Sequence, residues 1–438
     1  MLYRQSKFSH VFEKDNNNNY ILFNSNSLGL FELSKEDYQI YKQYEVPKEN
    51  YQSEVAVSLK DNKFIVPLNE TEFKDAKQQR EIRRRIAKRT RKNRIGYLRI
   101  SLTEKCNLRC KYCFVNDIYT SKGNMETDLF VNTMNWFIEQ NIGASPIIQY
   151  FGGEPLIRMD LIKKGHEMLQ EAKNSGKITG FTEEIVSNGT LVTEEIAQYF
   201  KDTGILLVFS IDGWKEINDK NRIYPNGNGS YSSVLQGMEN YKNVGGNLSG
   251  IITPTNENLP IFKNIIKHLV EDLGCTEISI NTPQPNERGW DIDGKKLAKA
   301  IMEAWEYCDS KKIPINQPGN NIVFSVNNKI PQTNSCMNLT YGQQENSWGV
   351  YLTSQGLVSN CVVECDERCT QPFDEFELNE EYINWHFEDH SKDSCLKCVG
   401  YNICGGPCTF ESIVRNKKLN PEKCKFYKTI IPWALTRD

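Results

Sequence analysis

The sequence lacks any long apolar run, any hydrophobic stretch behind a charged start, any large charge of one sign, and more than a handful of histidines. With a mean hydropathy of −0.57, the first absence excludes a membrane-spanning helix of about 20 apolar residues. Residues 1–10 carry no apolar core of the kind that makes a secretory signal, so a cytoplasmic chain without membrane partners is expected. Fifty-three basic residues against 56 acidic ones leave a net charge of −3. That balance argues against a protein committed as a whole to nucleic acid. Five histidines leave little imidazole for metal sites, and His386 and His390 fall between cysteine motifs rather than inside one.

Cysteine is what the chain has. Fourteen of them in a reducing compartment are not expected to form disulfides. Cys106, Cys110 and Cys113 form one knot, and nine more run from Cys336 to Cys424, with Cys275 and Cys308 alone between. Clustering at short, mixed spacings indicates metal ligation, and all-thiolate sets suit zinc or iron–sulfur. The isolated pair read as plain buried thiols.

A chain of 438 residues suggests two or three domains. Residues 1–94 are strand-like with short helices. Tyr20–Phe23 and Gly29–Leu33 read as a hairpin, Ser34 as a helix N-cap, and Lys63–Pro67 as a further strand. Residues 80–94 are dense in arginine and lysine and read as a solvated linker helix. From 95 to 312 strands alternate with helices in about six units. The strands fall at 97–102, 146–151, 184–187, 205–211, 250–253 and 277–281. That rhythm predicts an α/β fold, a parallel sheet closed into a partial (β/α)6 barrel, with chemistry at the C-terminal strand ends. From 313 to 438 the rhythm fades and the cysteines return. A third domain that depends on metal for its fold is expected there.

The loop after the first barrel strand reads Cys106-Asn-Leu-Arg-Cys110-Lys-Tyr-Cys113. Three thiolates in one loop would leave one iron of a four-iron cluster without a protein ligand, an open position of the kind that catalytic metal sites keep. This CxxxCxΦC, with Tyr112 as Φ, resembles the signature of the radical S-adenosylmethionine (SAM) enzymes. The resemblance implies that SAM chelates the unique iron and is cleaved reductively to a 5′-deoxyadenosyl radical, which abstracts hydrogen from a substrate. No catalytic side chain beyond the cluster ligands is assigned. Gly152, Gly153 and Glu154, at the end of the second strand, resemble the family's GGE motif, which implies that Glu154 holds the SAM ammonium. Ser187 and Ser210, at the third and fourth strand ends, would reach SAM or its surrounding loops. Arg222, ten residues after Asp212, either meets the methionine carboxylate or forms a structural salt bridge.

Further on, Cys395-x2-Cys398-x5-Cys404-x3-Cys408, trailing Cys424, and the Gly356-x4-Cys361 pair behind Cys336 closely resemble the SPASM domain. That resemblance implies two auxiliary 4Fe–4S clusters, three clusters in all. Cys395, Cys398, Cys404 and Cys424 would bind the outer auxiliary cluster, and Cys336, Cys361 and Cys408 the inner one. Its fourth ligand could be Cys365 or Cys369, or the site could stay open to substrate.

The N-terminal region is similar to the winged-helix-like peptide-recognition domains fused to SPASM enzymes, which bind a leader peptide by strand addition. The implied activity is maturation of a ribosomally made precursor peptide by a thioether or C–C cross-link, with an electron donor such as flavodoxin or ferredoxin. An alternative is formylglycine formation of the sulfatase-maturating type. A zinc-binding nucleic-acid module, resting on the basic run and the CxxC pairs, is the alternative of another class.

Overall fold

The computed structural model describes residues 1–14, 19–49, 53–113, 115, 123–281, 292–332, 335–336, 347–359, 361–363 and 370–437. Among the described residues six strands precede the barrel: β1 (Leu2–Gln5), β2 (Ser9–Glu13), β3 (Tyr20–Asn24), β4 (Gly29–Leu33), β5 (Lys48–Glu49) and β6 (Ile65–Pro67). They make two small antiparallel sheets, β5-β1-β6 and β2-β3-β4. The expected hairpin is β3–β4, with Tyr20 opposite Leu33 and Asn24 opposite Gly29. Ser34 caps helix α1 (Lys35–Lys42) by accepting from Asp37 N, as such a serine should. Helix α2 (Glu54–Asp61) and the long α3 (Glu72–Thr90) complete the segment.

The large sheet contains β7 (Ile95–Thr103), β8 (Ile147–Gly152), β9 (Thr182–Ser187), β10 (Leu206–Ser210), β11 (Ser249–Ile252), β12 (Glu277–Ile280) and β13 (Ile315–Asn316), then β14 (Trp348–Leu352), β15 (Leu357–Ser359) and β16 (Thr370–Pro372). Its order is β13-β12-β11-β10-β9-β8-β7-β14-β15-β16. Every neighbour from β13 to β14 is parallel, and β15 and β16 return antiparallel. All six expected barrel strands are present. The sequence of β7, Ile-Gly-Tyr-Leu-Arg-Ile-Ser-Leu-Thr, is buried at every position but Arg99, the near-continuous burial of a strand covered on both faces.

Helices at Thr127–Glu139, Met159–Asn174, Glu194–Thr203, Tyr231–Asn243, Phe262–Lys267 and Gly294–Lys311 cross between the strands, in the expected alternation. Thr193 starts one of them by accepting from Ile196 N, and Gly204 ends it at φ 72°, a left-handed cap that glycine adopts without strain.

Two expectations change. The sheet does not stop near Lys312: β13 joins β12, and β14, buried along its whole length, inserts beside β7. These strands are two to five residues long and lie among Asn, Gln and Gly, so no periodicity announces them. The basic run is helical as far as Thr90, but it is not a solvated linker. Arg80 and Arg84 are 3% and 5% exposed because α3 lies against the C-terminal segment. There Phe8 and Ala76 form a small apolar cluster with Leu396 and Tyr401.

Trp348, at the start of β14, packs edge-on against Tyr382, His386 and Phe387, and the Arg91 guanidinium lies 5.3 Å over its ring. Trp348→Ala should remove about 3–5 kcal/mol of stability, the usual cost of emptying a buried aromatic site. A denaturant titration of the full-length protein would show this as a lowered midpoint.

Candidate functional site

The cysteine loop leaves the C-terminal end of β7 and is fastened at several points. Glu104, buried, accepts at Oε1 from Ser354 Oγ (2.8 Å) and Gln355 Nε2 (2.7 Å). Arg109 N donates to Ile223 O (2.7 Å) and Lys111 N to Asn221 O (3.0 Å). The strand end of β8 lies directly against the loop: Gly153 N donates to Thr103 O and Glu154 N to Lys105 O. No side chain fits there. A Cβ on Gly153 would meet Lys105 O at 2.3 Å, and Gly152 holds φ at 138° with Thr103 O at 2.2 Å from its own would-be Cβ. The two glycines are thus required by close backbone approach.

Glu154 is 1% exposed. Its Oε1 accepts from Leu156 N (3.1 Å) and Ser187 Oγ (2.8 Å), and its Oε2 from Asn188 N (2.8 Å). Burial nevertheless pushes its carboxyl up to about 7, because three neutral donors only partly replace lost water. Ser187 also accepts from Gly189 N, so this residue orients Glu154 and closes its own turn. Asn188 extends the contact toward the cysteines, donating to Asn107 Oδ1 at 2.8 Å with Cys106 Sγ at 3.9 Å. At the end of β10, Ser210 is half-buried, and its hydroxyl has no protein partner among the described residues.

Tyr112 donates to Asp212 Oδ2. Asp212 is fully buried and faces Arg222, whose Nη2 donates to Oδ1 at 3.3 Å while Nε lies 3.0 Å from Oδ2 without hydrogen-bond alignment. The guanidinium lies 5.5 Å over the Tyr112 ring. Arg222 is therefore engaged in a buried ion pair that seats the aromatic of the motif. Asp212, noted only for its spacing to Arg222, and Asn188 were given no role of their own from sequence, and neither was Glu104. The first two stand inside the Ser-Asn-Gly and Ser-Ile-Asp-Gly turns, where position at a strand end is the available signal. Glu104 has only its place two residues before Cys106.

Cys106 and Cys110 are free thiols that burial pushes up to about 12 and about 11. Buried thiols of this kind ionise when a metal binds them. Among the described residues no three His, Cys, Asp or Glu side chains converge on a single-ion site. Thiolates on separate irons of a cluster stand farther apart than that.

Residues 100–269 match the Radical SAM superfamily. The chain carries a radical SAM domain. Enzymes with this domain use SAM and a 4Fe–4S cluster. The chain is 24% identical over 329 residues to the radical SAM cyclopropyl synthase TigE of Paramaledivibacter caminithermalis, which covers 69% of this chain and 68% of TigE. It is 32% identical over 146 residues to the cysteine-type anaerobic sulfatase-maturating enzyme of Clostridium novyi, covering 31% and 37% of the two chains. Among solved structures, native anSMEcpe with bound AdoMet matches with a TM-score of 0.64 at 20% identity, over 77% of this chain and 96% of that one. Streptococcus suis SuiB bound to the precursor peptide SuiA matches with a TM-score of 0.52 at 14% identity, over 96% and 98%. At these identities the likeness is one of fold.

Beyond the radical SAM domain the structure gathers Cys395, Cys398, Cys404 and Cys424. Burial pushes Cys424 up to about 11, and the three other sulfurs add to the shift. Cys336 and Cys361 both lie near the buried Tyr382. Ser335, next to Cys336, donates to Gly406 O (2.7 Å), which ties that segment to the loop carrying Cys408. Cys408 itself faces Lys423, whose Nζ is held by Glu411 at 2.8 Å. Cys365 and Cys369 lie outside the described residues. Cys275 and Cys308 are buried, as expected, at 2% and 0% exposure.

Replacing Asp212 by Asn would leave the Arg222 guanidinium buried without its counter-charge. Removing one partner of such a pair costs about 3–5 kcal/mol. Asp212→Asn should lower the denaturation midpoint accordingly, whereas Asp212→Asn combined with Arg222→Met should recover much of the loss.

Proposed function

We propose that this protein is a radical SAM peptide maturase that forms an intramolecular thioether or C–C cross-link in a ribosomally made precursor peptide. The observation that carries the reading is the meeting of the three-cysteine loop with the buried Glu154 carboxylate at the ends of β7 and β8. Cys106, Cys110 and Cys113 would hold a 4Fe–4S cluster with one iron open. When bound, that cluster and SAM supply the one-electron cleavage that yields a carbon radical able to take hydrogen from the substrate. Glu154 would bind the SAM ammonium, with Ser187 orienting it. Gly152 and Gly153 bring bare backbone alongside, and the unpartnered Ser210 hydroxyl would accept or donate to the nucleoside. Arg222 acts through Asp212 and Tyr112, holding the loop rather than touching the cofactor.

Cys395, Cys398, Cys404 and Cys424 would hold an outer auxiliary cluster, and Cys336, Cys361 and Cys408 an inner one. The peptide part of the reading is supported by TigE, a cyclopropyl synthase, and by the fold likeness to SuiB, which runs through the N-terminal segment. A leader would add a strand to an outer strand of that segment's small sheets. Oxidation of a Cys or Ser side chain to formylglycine is the second reading, favoured by the higher TM-score with anSMEcpe. A leader-binding segment has no evident role in it.

The test is anaerobic. Iron-loaded protein given SAM and a reductant should form 5′-deoxyadenosine, and the Cys106→Ala/Cys110→Ala/Cys113→Ala variant should not. Co-expression with short reading frames beside the gene should yield a peptide of altered mass. A side-chain aldehyde in place of a cross-link would establish the second reading.

The raised carboxyl of Glu154 gives a pH signature. A bound ammonium favours the ionised form, so SAM affinity should be full above about pH 7. It should fall by up to about tenfold per unit as the pH drops below that value, where the free site is protonated. Glu154→Gln should weaken binding by about 1.5–3 kcal/mol at pH 8, the range for hydrogen bonds to charged groups. It should also abolish the pH dependence. Titrations of SAM at pH 6 and pH 8 measure both.

A further inference from the structure

The basic helix α3 places one side chain among the C-terminal cysteines. Arg80, 3% exposed, spends its whole guanidinium on that segment. Nη1 donates to Tyr401 O (3.1 Å), Nη2 to Gly405 O (3.3 Å) and Nε to Asp389 Oδ2 (3.2 Å). Tyr401 lies between Cys398 and Cys404, and Gly405 follows Cys404, so two of the three bonds brace the backbone that carries the thiols. The guanidinium also lies 5.5 Å over the Tyr401 ring. A planar fork with fixed bond directions suits this task, and a lysine ammonium could not reproduce it.

Charge adds a second argument. Arg84, also buried, lies 3.3 Å from the other oxygen of Asp389. Two buried guanidinium groups therefore converge on one carboxylate that is itself 33% exposed. Glu81 and Glu388, the other acids that Arg84 feels, are exposed to water. Burying cations costs several kcal/mol unless anions lie close by. A thiolate held by a metal would supply such a group: Arg80 acts electrostatically on Cys395, which in turn lies near Cys404.

We propose that Arg80 is a positioning residue for the four-cysteine site, bracing the Tyr401 and Gly405 carbonyls and supplying positive charge that favours the reduced form of the metal held there. The proposal rests on the reading of Cys395, Cys398, Cys404 and Cys424 as ligands of the outer cluster. One-electron reduction adds one negative charge to a site whose ligation is unchanged. A cation fixed beside it in a poorly solvated place stabilises that product. It also follows that the N-terminal segment is part of this metal site and not a detachable module.

The experiment uses full-length protein carrying Cys106→Ala, Cys110→Ala and Cys113→Ala, titrated stepwise with dithionite and followed by EPR, with iron counted per chain. The outer signal is the one lost on adding Cys395→Ala and Cys404→Ala. If those two changes remove neither iron nor signal, the ligand reading fails, and the proposal falls with it for that separate reason. With the signal assigned, Arg80→Met should move its midpoint to more negative potential or lose the outer iron. Arg80→Lys should lie nearer the parent. Should Arg80→Met not fold, Asp389→Asn leaves Arg80 in place with less of its charge balanced and should move the midpoint the opposite way, to more positive potential. An outer midpoint and iron count unchanged in Arg80→Met overturn the proposal, as does a negative or absent shift in Asp389→Asn.

Discussion

The hydrogen-bonded ladder of β7 on both its edges is the contact from which the rest of the molecule is built. On one edge Tyr97 faces Ile147 of β8, and on the other Gly349 of β14. The first edge brings the Gly-Gly-Glu turn under the cysteine loop. The second brings Ser354 and Gln355 onto Glu104, just before Cys106. A loop rich in thiols has little core of its own. It acquires a fixed shape because strands from both directions end at its base.

Charge removed from water sets the second pattern. Glu154, the Asp212–Arg222 pair, Arg80 with Asp389, and Lys423 with Glu411 are each buried in part or whole, and each lies next to a cysteine motif. Buried ionic groups add little stability relative to well-packed apolar ones. Their gathering around the thiols fits sites that must change charge while their geometry stays fixed.

Much of this was legible in the sequence, for physical reasons. Six barrel strands and their helices follow from local apolar rhythm, and the cysteine spacings are matters of covalent chain length. The Tyr20–Leu33 hairpin and the Ser34 cap are equally local. What escaped depends on distant partners. Arg80 and Arg84 look like solvated charges until residues 389–405 are placed against them. Strands β13–β16 are too short to show a period, and the Tyr112 hydroxyl that Asp212 accepts lies 100 residues away in the chain. Arg222 itself had two readings that only its neighbours could separate.

The parallel insertion of β14 beside β7 bears on how the chain is made. A ribosome releases β7 roughly 250 residues before β14, and α3 some 300 residues before the carbonyls that Arg80 binds. Until then the free edge of β7 and two cationic side chains wait without their final partners, exposed as unpaired edges are in slow-folding intermediates. Long-range closure of this kind is slow compared with local folding. Cys395, Cys398 and Cys404 thus find their enclosure against α3 only after some 300 further residues have followed that helix from the ribosome.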